Sequence, residues 1–313
     1  MRPCMADHNF SGNEAPFAWK NPNNIPSNKD EVTHLELLKK YNIPYIFDIH
    51  CHFFPEVVLK AIWKWFDKVN WKITYRYKEE KRLDSLNRNN FKKFTTLNYA
   101  HKPKMAENLN KWVYENYKNW KGAIPFGTFY PEENVLSYTQ KAVEEYNFKG
   151  FKLHCEVSKL NLNIPELKST FTYLEKKQIP IVIHTGTAPL PGEFTGIKYF
   201  EPFIKTYPEL LVIVAHMGAH EVFPYANLIN KFPNLYLDTT MAFVDFLATG
   251  EDMDSLIPLL ETHKTKIMYG SDFPNIPYNL SHSVESLLNA NISMDAKQNI
   301  FYRNAERLIG DGE

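Results

Sequence analysis

The sequence predicts a parallel α/β fold, a (β/α)8 TIM-type barrel, and three observations carry that prediction. From Ile124 onward, short apolar runs alternate with amphipathic stretches of helical length. With two earlier runs the strands count to eight, the number that closes a ring. Several runs end in a histidine or an aspartate, as expected where all strand C-termini share one rim. An open parallel sheet is the alternative that the same alternation allows.

The elements follow in order. Residues 1–44 read as an N-terminal extension, with Asn- and Pro-rich loop text at 21–26 and a short helix over 33–41. Residues 45–313 read as the barrel domain. Its strands are expected at 45–50, 94–99, 124–129, 150–154, 180–184, 211–216, 235–239 and 266–271. Helical patterns fill 134–146, 165–177, 197–207, 221–230 and 251–261. The segment 55–93 is dense in Trp, Tyr, Phe and Lys and lacks this rhythm, so it reads as an insertion over the barrel mouth.

Composition narrows the class. Lysine plus arginine equals aspartate plus glutamate, 36 of each, so charge gives no sign of a nucleic-acid partner. A hydrophobic fraction of 44% supplies a large core, yet no apolar run approaches the length of a membrane span. The three cysteines, Cys4, Cys51 and Cys155, are odd in number and widely spaced. A disulfide framework is not expected, and a reducing cytoplasm is. No apolar stretch of signal-peptide type follows Arg2. A small-molecule substrate is the expected partner, with a homodimer as the expected assembly.

The chemistry concentrates at the strand ends. His50-Cys51-His52 closes the first run; strand alternation aims the two imidazoles the same way and Cys51 elsewhere, so the pair can grip one metal ion. Lys152-Leu153-His154 ends the fourth strand, His184-Thr185-Gly186 the fifth and His216-Met217-Gly218 the sixth. Gly270-Ser271-Asp272-Phe273-Pro274 ends the eighth. Taken singly, His154 reads as a capping residue and Asp272 as an Asx turn or helix cap. In a barrel all of them converge.

These motifs, together with Tyr302-Arg303-Asn304-Ala305-Glu306-Arg307-Leu308 near the C-terminus, resemble the amidohydrolase superfamily. The resemblance is to its amidohydrolase-related branch, which holds aminocarboxymuconate-semialdehyde decarboxylase, γ-resorcylate decarboxylase and pyrone-dicarboxylate lactonase. It spans residues 45–310 and implies a distorted barrel with a divalent metal at its mouth. By motif, it implies His50, His52, His184 and Asp272 as ligands. It implies His216 as catalytic acid/base or electrophile beside them, and Asp272 as the group that moves the proton of a metal-activated water.

Three imidazoles and one carboxylate suit zinc (Zn2+), with manganese or iron as alternatives. One metal is expected; a second, bridged by a carboxylated Lys152 with His154 nearby, is less favoured than a Lys152 ammonium paired with a carboxylate. Substrate contacts are expected from His101, Lys102 and Tyr130, with Arg76 as a further carboxylate anchor. His220 reads as a supporting residue, and His34, His263 and His282 as surface or packing residues. The expected activity is hydrolysis of an amide, lactone or related carbonyl of a small molecule. Nonoxidative decarboxylation of a carboxylated ring or diene is the alternative on the same ligands. A non-catalytic binding protein is disfavoured by the presence of Asp272 and His216. A nucleotide-binding open sheet is disfavoured by the lack of G-x-G-x-x-G.

Overall fold

The computed structural model describes Trp19, residues 25–246 and residues 252–310. Most of the predicted extension, residues 1–18 and 20–24, lies outside the described residues, as does the start of the 251–261 helix. Among the described residues nine strands follow in order: β1 Ile46–Asp48, β2 Phe91–Thr95, β3 Ala123–Ile124, β4 Phe126–Thr128 and β5 Gly150–His154. β6 Ile181–His184, β7 Val212–Val214, β8 Leu235–Asp238 and β9 Ile267–Met268 complete them. Every pairing is parallel, in the orders β1-β2-β3 and β4-β5-β6-β7-β8-β9.

The two sheets are one wall. β3 and β4 are a single predicted strand interrupted at Pro125, which has no N–H to give a ladder. The Thr96 hydroxyl bridges the gap by accepting the Phe126 N–H at 3.2 Å. The other seam joins the chain's ends: Ile49 donates to the Tyr269 carbonyl, and the Asp272 N–H donates to the His50 carbonyl at 2.9 Å. Cys51 and Phe273 add a parallel bridge. The barrel therefore closes with eight strand positions, a TIM-type fold.

Alternation along the strands sorts the core. Phe47, Ile49, Leu97, Ile124, Phe126, Val182, Ile213 and Met268 form one cluster inside the barrel. Their strand neighbours, including Ile181, Ile183, Val212, Val214, Leu235 and Leu237, belong to the larger cluster under the helices. Burying each such side chain contributes about 1.5–3 kcal/mol. The inner cluster fills the barrel, and on β6 the residue two positions beyond its Val182 is His184.

Two predicted boundaries move. β2 begins at Phe91 rather than residue 94, because Phe91 and Phe94 bury while Lys92 and Lys93 between them reach Asn87 and Glu306. The insertion therefore ends before residue 91, and it is regular, with helices Glu56–Lys68 and Glu79–Arg88. It is tied to the chain just beyond Asp272. Trp63 donates to the Asn275 side chain, Trp71 to its carbonyl at 2.8 Å, and the Thr74 N–H to Ile276.

Candidate metal centre

The site is anchored below by a buried carboxylate. Asp48 accepts the His50 N–H (3.0 Å), the Ser271 N–H (3.1 Å), the Cys51 thiol and the Ser271 hydroxyl. It thereby fastens the end of β1 to the loop that carries Asp272. Burial pushes its carboxyl up to about 6, against the pull of these hydrogen bonds. Gly270 permits the close approach: a Cβ there would lie 2.2 Å from Thr240 Oγ1 and 2.8 Å from His50 Cβ. Cys51 is fully buried and gives its thiol hydrogen to Asp48, and burial drives the thiol well above the ordinary range.

Six rings close a circuit at the barrel mouth. Tyr99 meets His154 at 5.0 Å between centroids, His154 stacks on His184 at 4.0 Å, and His184 meets His216 at 4.7 Å. His216 meets His50 at 5.1 Å, His50 meets His52 at 5.0 Å, and His52 returns to Tyr99 at 5.6 Å. Asp272 joins this circuit through Oδ1, 3.0 Å from His52 Nε2 and 3.8 Å from His50 Nε2. The fully buried Lys152 reaches His50 Nε2 at 3.1 Å.

Hydrogen-bond partners assign the imidazole protons. Asp238 accepts the His216 and Thr240 N–H groups on Oδ1, and its Oδ2 lies 2.8 Å from His50 Nδ1. A carboxylate so placed takes Nδ1–H as donor and leaves a lone pair on His50 Nε2. His184 Nε2 donates to the Ala188 carbonyl (3.0 Å), freeing Nδ1; His216 Nδ1 donates to the Thr240 carbonyl (3.1 Å), freeing Nε2. His52 Nε2 faces two acceptors, Asp272 and His50 Nε2, so it holds the proton between them, while its buried Nδ1 has no partner. His154 is the opposite case: its Nδ1 accepts the Val157 N–H at 3.3 Å, so Nε2 carries the hydrogen.

Electrostatics agree with this assignment. Burial holds His50, His154 and His184 well below the usual imidazole range, and His216 down to about 4, so all four stay neutral. Burial alone would raise the Asp272 carboxyl, but the His52 hydrogen bond and the surrounding imidazoles hold it below the ordinary range. Lys152 is drawn down to about 8 by burial, against the attraction of Asp238 and Asp272. Burial and the Asp272 charge keep Tyr99 protonated. His216 (φ 55°) and Asp272 (φ 67°) occupy the left-handed region, each at a cost of order 1–3 kcal/mol. Asp238 and the His50 carbonyl hold their backbone N–H groups there.

The donor set fits a divalent cation. Imidazole nitrogens of His50 and His216 and the Asp272 carboxylate converge, the donor chemistry of a divalent-cation site. Among the described residues, His50, His216 and Asp272 offer ligand atoms within 4.8 Å of one another. The set implied by resemblance shares His50 and Asp272 with this group, and His216 stands inside ligand range. His52 and His184 belong to the same ring of side chains.

Other expected residues do not reach the ring. Lys102 is exposed, His101 is half-buried, and neither bonds to the ring among the described residues. The Tyr130 backbone is pinned by the Tyr138 hydroxyl, and Arg76 is turned to Asp67. His220 gives its N–H to Thr187. Asp238 is not among the residues expected from the sequence, and of the Tyr99–Lys102 strand end it is Tyr99 that joins the ring. Asp238 ends the predicted 235–239 strand and obeys the same strand-end rule as the histidines, so its signal was present.

The amidohydrolase family profile matches residues 47–310, and the chain belongs to that family. No curated protein matches the chain. Among solved structures it is similar to an uncharacterised TIM-barrel protein of Bordetella bronchiseptica, with TM-score 0.67, 17% identity, and coverage of 84% of this chain and 98% of that one. It is also similar to 5-carboxyvanillate decarboxylase of Novosphingobium aromaticivorans, solved with manganese and 4-hydroxy-3-methoxy-5-nitrobenzoic acid. There the TM-score is 0.64 and the identity 12%, covering 90% of this chain and 99% of that one. A third, 4-oxalomesaconate hydratase of Rhodopseudomonas palustris, has TM-score 0.54 and 16% identity, covering 84% and 95%. Among the described residues no helix is long and apolar enough to cross a membrane.

Proposed function

We propose that this protein is a metal-dependent hydrolase acting on an amide, lactone or related carbonyl of a small molecule. One divalent metal, zinc by preference, would be held by His50, His52, His184 and Asp272. The observation that supports this reading is the convergence of His50 and His216 nitrogens on the Asp272 carboxylate, which is itself 16% exposed. When bound, such a cation polarises a substrate oxygen and acidifies a water molecule. The chain's own residues do the rest. Asp272, open to the mouth, takes the proton of the attacking water and returns it to the leaving group. His216 presents a lone pair, because its Nδ1–H is committed to Thr240, so it accepts a proton or ligates rather than stabilising an oxyanion. Lys152 serves as a buried ammonium balancing Asp238 and Asp272.

Nonoxidative decarboxylation is the second reading, supported by likeness to 5-carboxyvanillate decarboxylase over nearly its whole length. One experiment separates the two. Metal content is measured on the purified protein. The zinc- and manganese-loaded forms are then assayed for ring opening of lactones, amide cleavage, and carbon dioxide release from aromatic acids. Ring opening or amide cleavage without carbon dioxide supports hydrolysis; carbon dioxide release alone overturns it.

A further inference from the structure

The ring at the mouth divides into two chemically opposite arcs. His50, His184 and His216 turn lone pairs toward it, whereas His154 and Tyr99, on adjacent rings, carry hydrogens. His154 Nε2–H has no acceptor among the described residues, and neither has the Tyr99 hydroxyl. Tyr99 is 8% exposed, and its ring is held by His52, His154 and Phe54. His154 is fixed by its stack on His184 and by the Val157 N–H, and it stays partly accessible. Two positioned donors without acceptors among the described residues, side by side in the ring, are free to bond an arriving oxygen.

We propose that Tyr99 and His154 form a donor pair that holds an acceptor oxygen of the substrate, the carbonyl oxygen of the scissile bond or a carboxylate oxygen of the product. This rests on the metal-dependent reading above and gives the oxyanion-holding role, which His216 does not fill, to the other side of the ring. Both donors are neutral and preset by other contacts, so they can strengthen as negative charge develops on the oxygen without reorganising. The ligand chemistry is an oxygen anion or a strongly polarised carbonyl; a cationic or acceptor-free group has nothing to bond there.

Benzoate is a suitable probe, titrated calorimetrically into the zinc-loaded protein and into the metal-free protein. Tyr99→Phe removes the hydroxyl and keeps the ring. His154→Asn keeps an acceptor for the Val157 N–H and removes the Nε2 donor. Each substitution is expected to weaken benzoate by about tenfold, with zinc affinity unchanged, a separation that general loosening of the ring would not leave. Unchanged benzoate affinity in both variants would overturn the donor pair, as would failure of the unsubstituted zinc-loaded protein to bind benzoate. Should His154→Asn fail to fold, Tyr99→Phe alone decides. Equal benzoate affinity with and without zinc would instead count against the metal-dependent reading.

Discussion

The floor and the rim of this barrel share strands, as on β6, and follow different rules. Val182 and His184 lie on one face of β6, and both are buried. At the floor, Val182 joins Phe126, Ile213 and Met268 in an apolar cluster that needs no partners. At the rim, buried imidazole nitrogens call for partners, which His52 Nδ1 lacks, and the His216, Met217 and Asp272 backbones sit in the left-handed region. The rim is therefore the costly part of the structure and the floor the part that offsets it. The rim holds buried imidazoles and the Lys152 ammonium above a layer that is filled by apolar side chains.

Substitutions can pull the two layers apart. The largest effect is expected at the rim: Asp272→Asn should lower turnover by about 10^2–10^4-fold while some metal remains bound, checked by steady-state assay and elemental analysis. Near-normal turnover would remove Asp272 from the chemistry. At the floor, Phe126→Ala should cost about 3–5 kcal/mol in denaturant unfolding, with metal stoichiometry intact in the fraction still folded. Gly270→Ala tests where the layers meet. The added methyl meets Thr240 and His50, so a loss of about 1–3 kcal/mol should come together with weaker metal binding.

The smallest effect lies outside both layers. His34 is buried between Ser281 and the Asn89 carbonyl, and burial lowers it from 6.5. The unfolded chain thus binds this proton more readily than the folded one. Its contribution is complete above about pH 6.5 and declines as the pH falls below that value. Denaturation midpoints measured from pH 7.5 to 5 should fall more steeply in the unsubstituted protein than in His34→Gln. Parallel slopes would assign the acid sensitivity to the rim instead.

The sequence was informative wherever a rule acts locally. β5 and the residues ending β6, β7 and β9 were legible because a short apolar run followed by a histidine or aspartate looks the same in any barrel. β2 was displaced because Lys92 and Lys93 mask a buried strand, which alternation alone does not reveal. The insertion's two helices were hidden by its aromatic content. At the site, the residue types were legible but their protonation was not. Which nitrogen of His184, His216 or His154 is free depends on the Ala188 and Thr240 carbonyls and the Val157 N–H, groups set by loop geometry. His101 and Lys102 were near the right strand end, but Tyr99, two and three residues earlier, holds the inward position.

The seam between the two ends of the barrel has a consequence during synthesis. His50 emerges early and Asp272 late, and they meet only when the His50 carbonyl accepts the Asp272 N–H. Until the ribosome has released the last strand, the nascent chain carries a two-histidine pincer without its carboxylate. On the proposed reading, a metal held by the complete set would be captured only after ring closure.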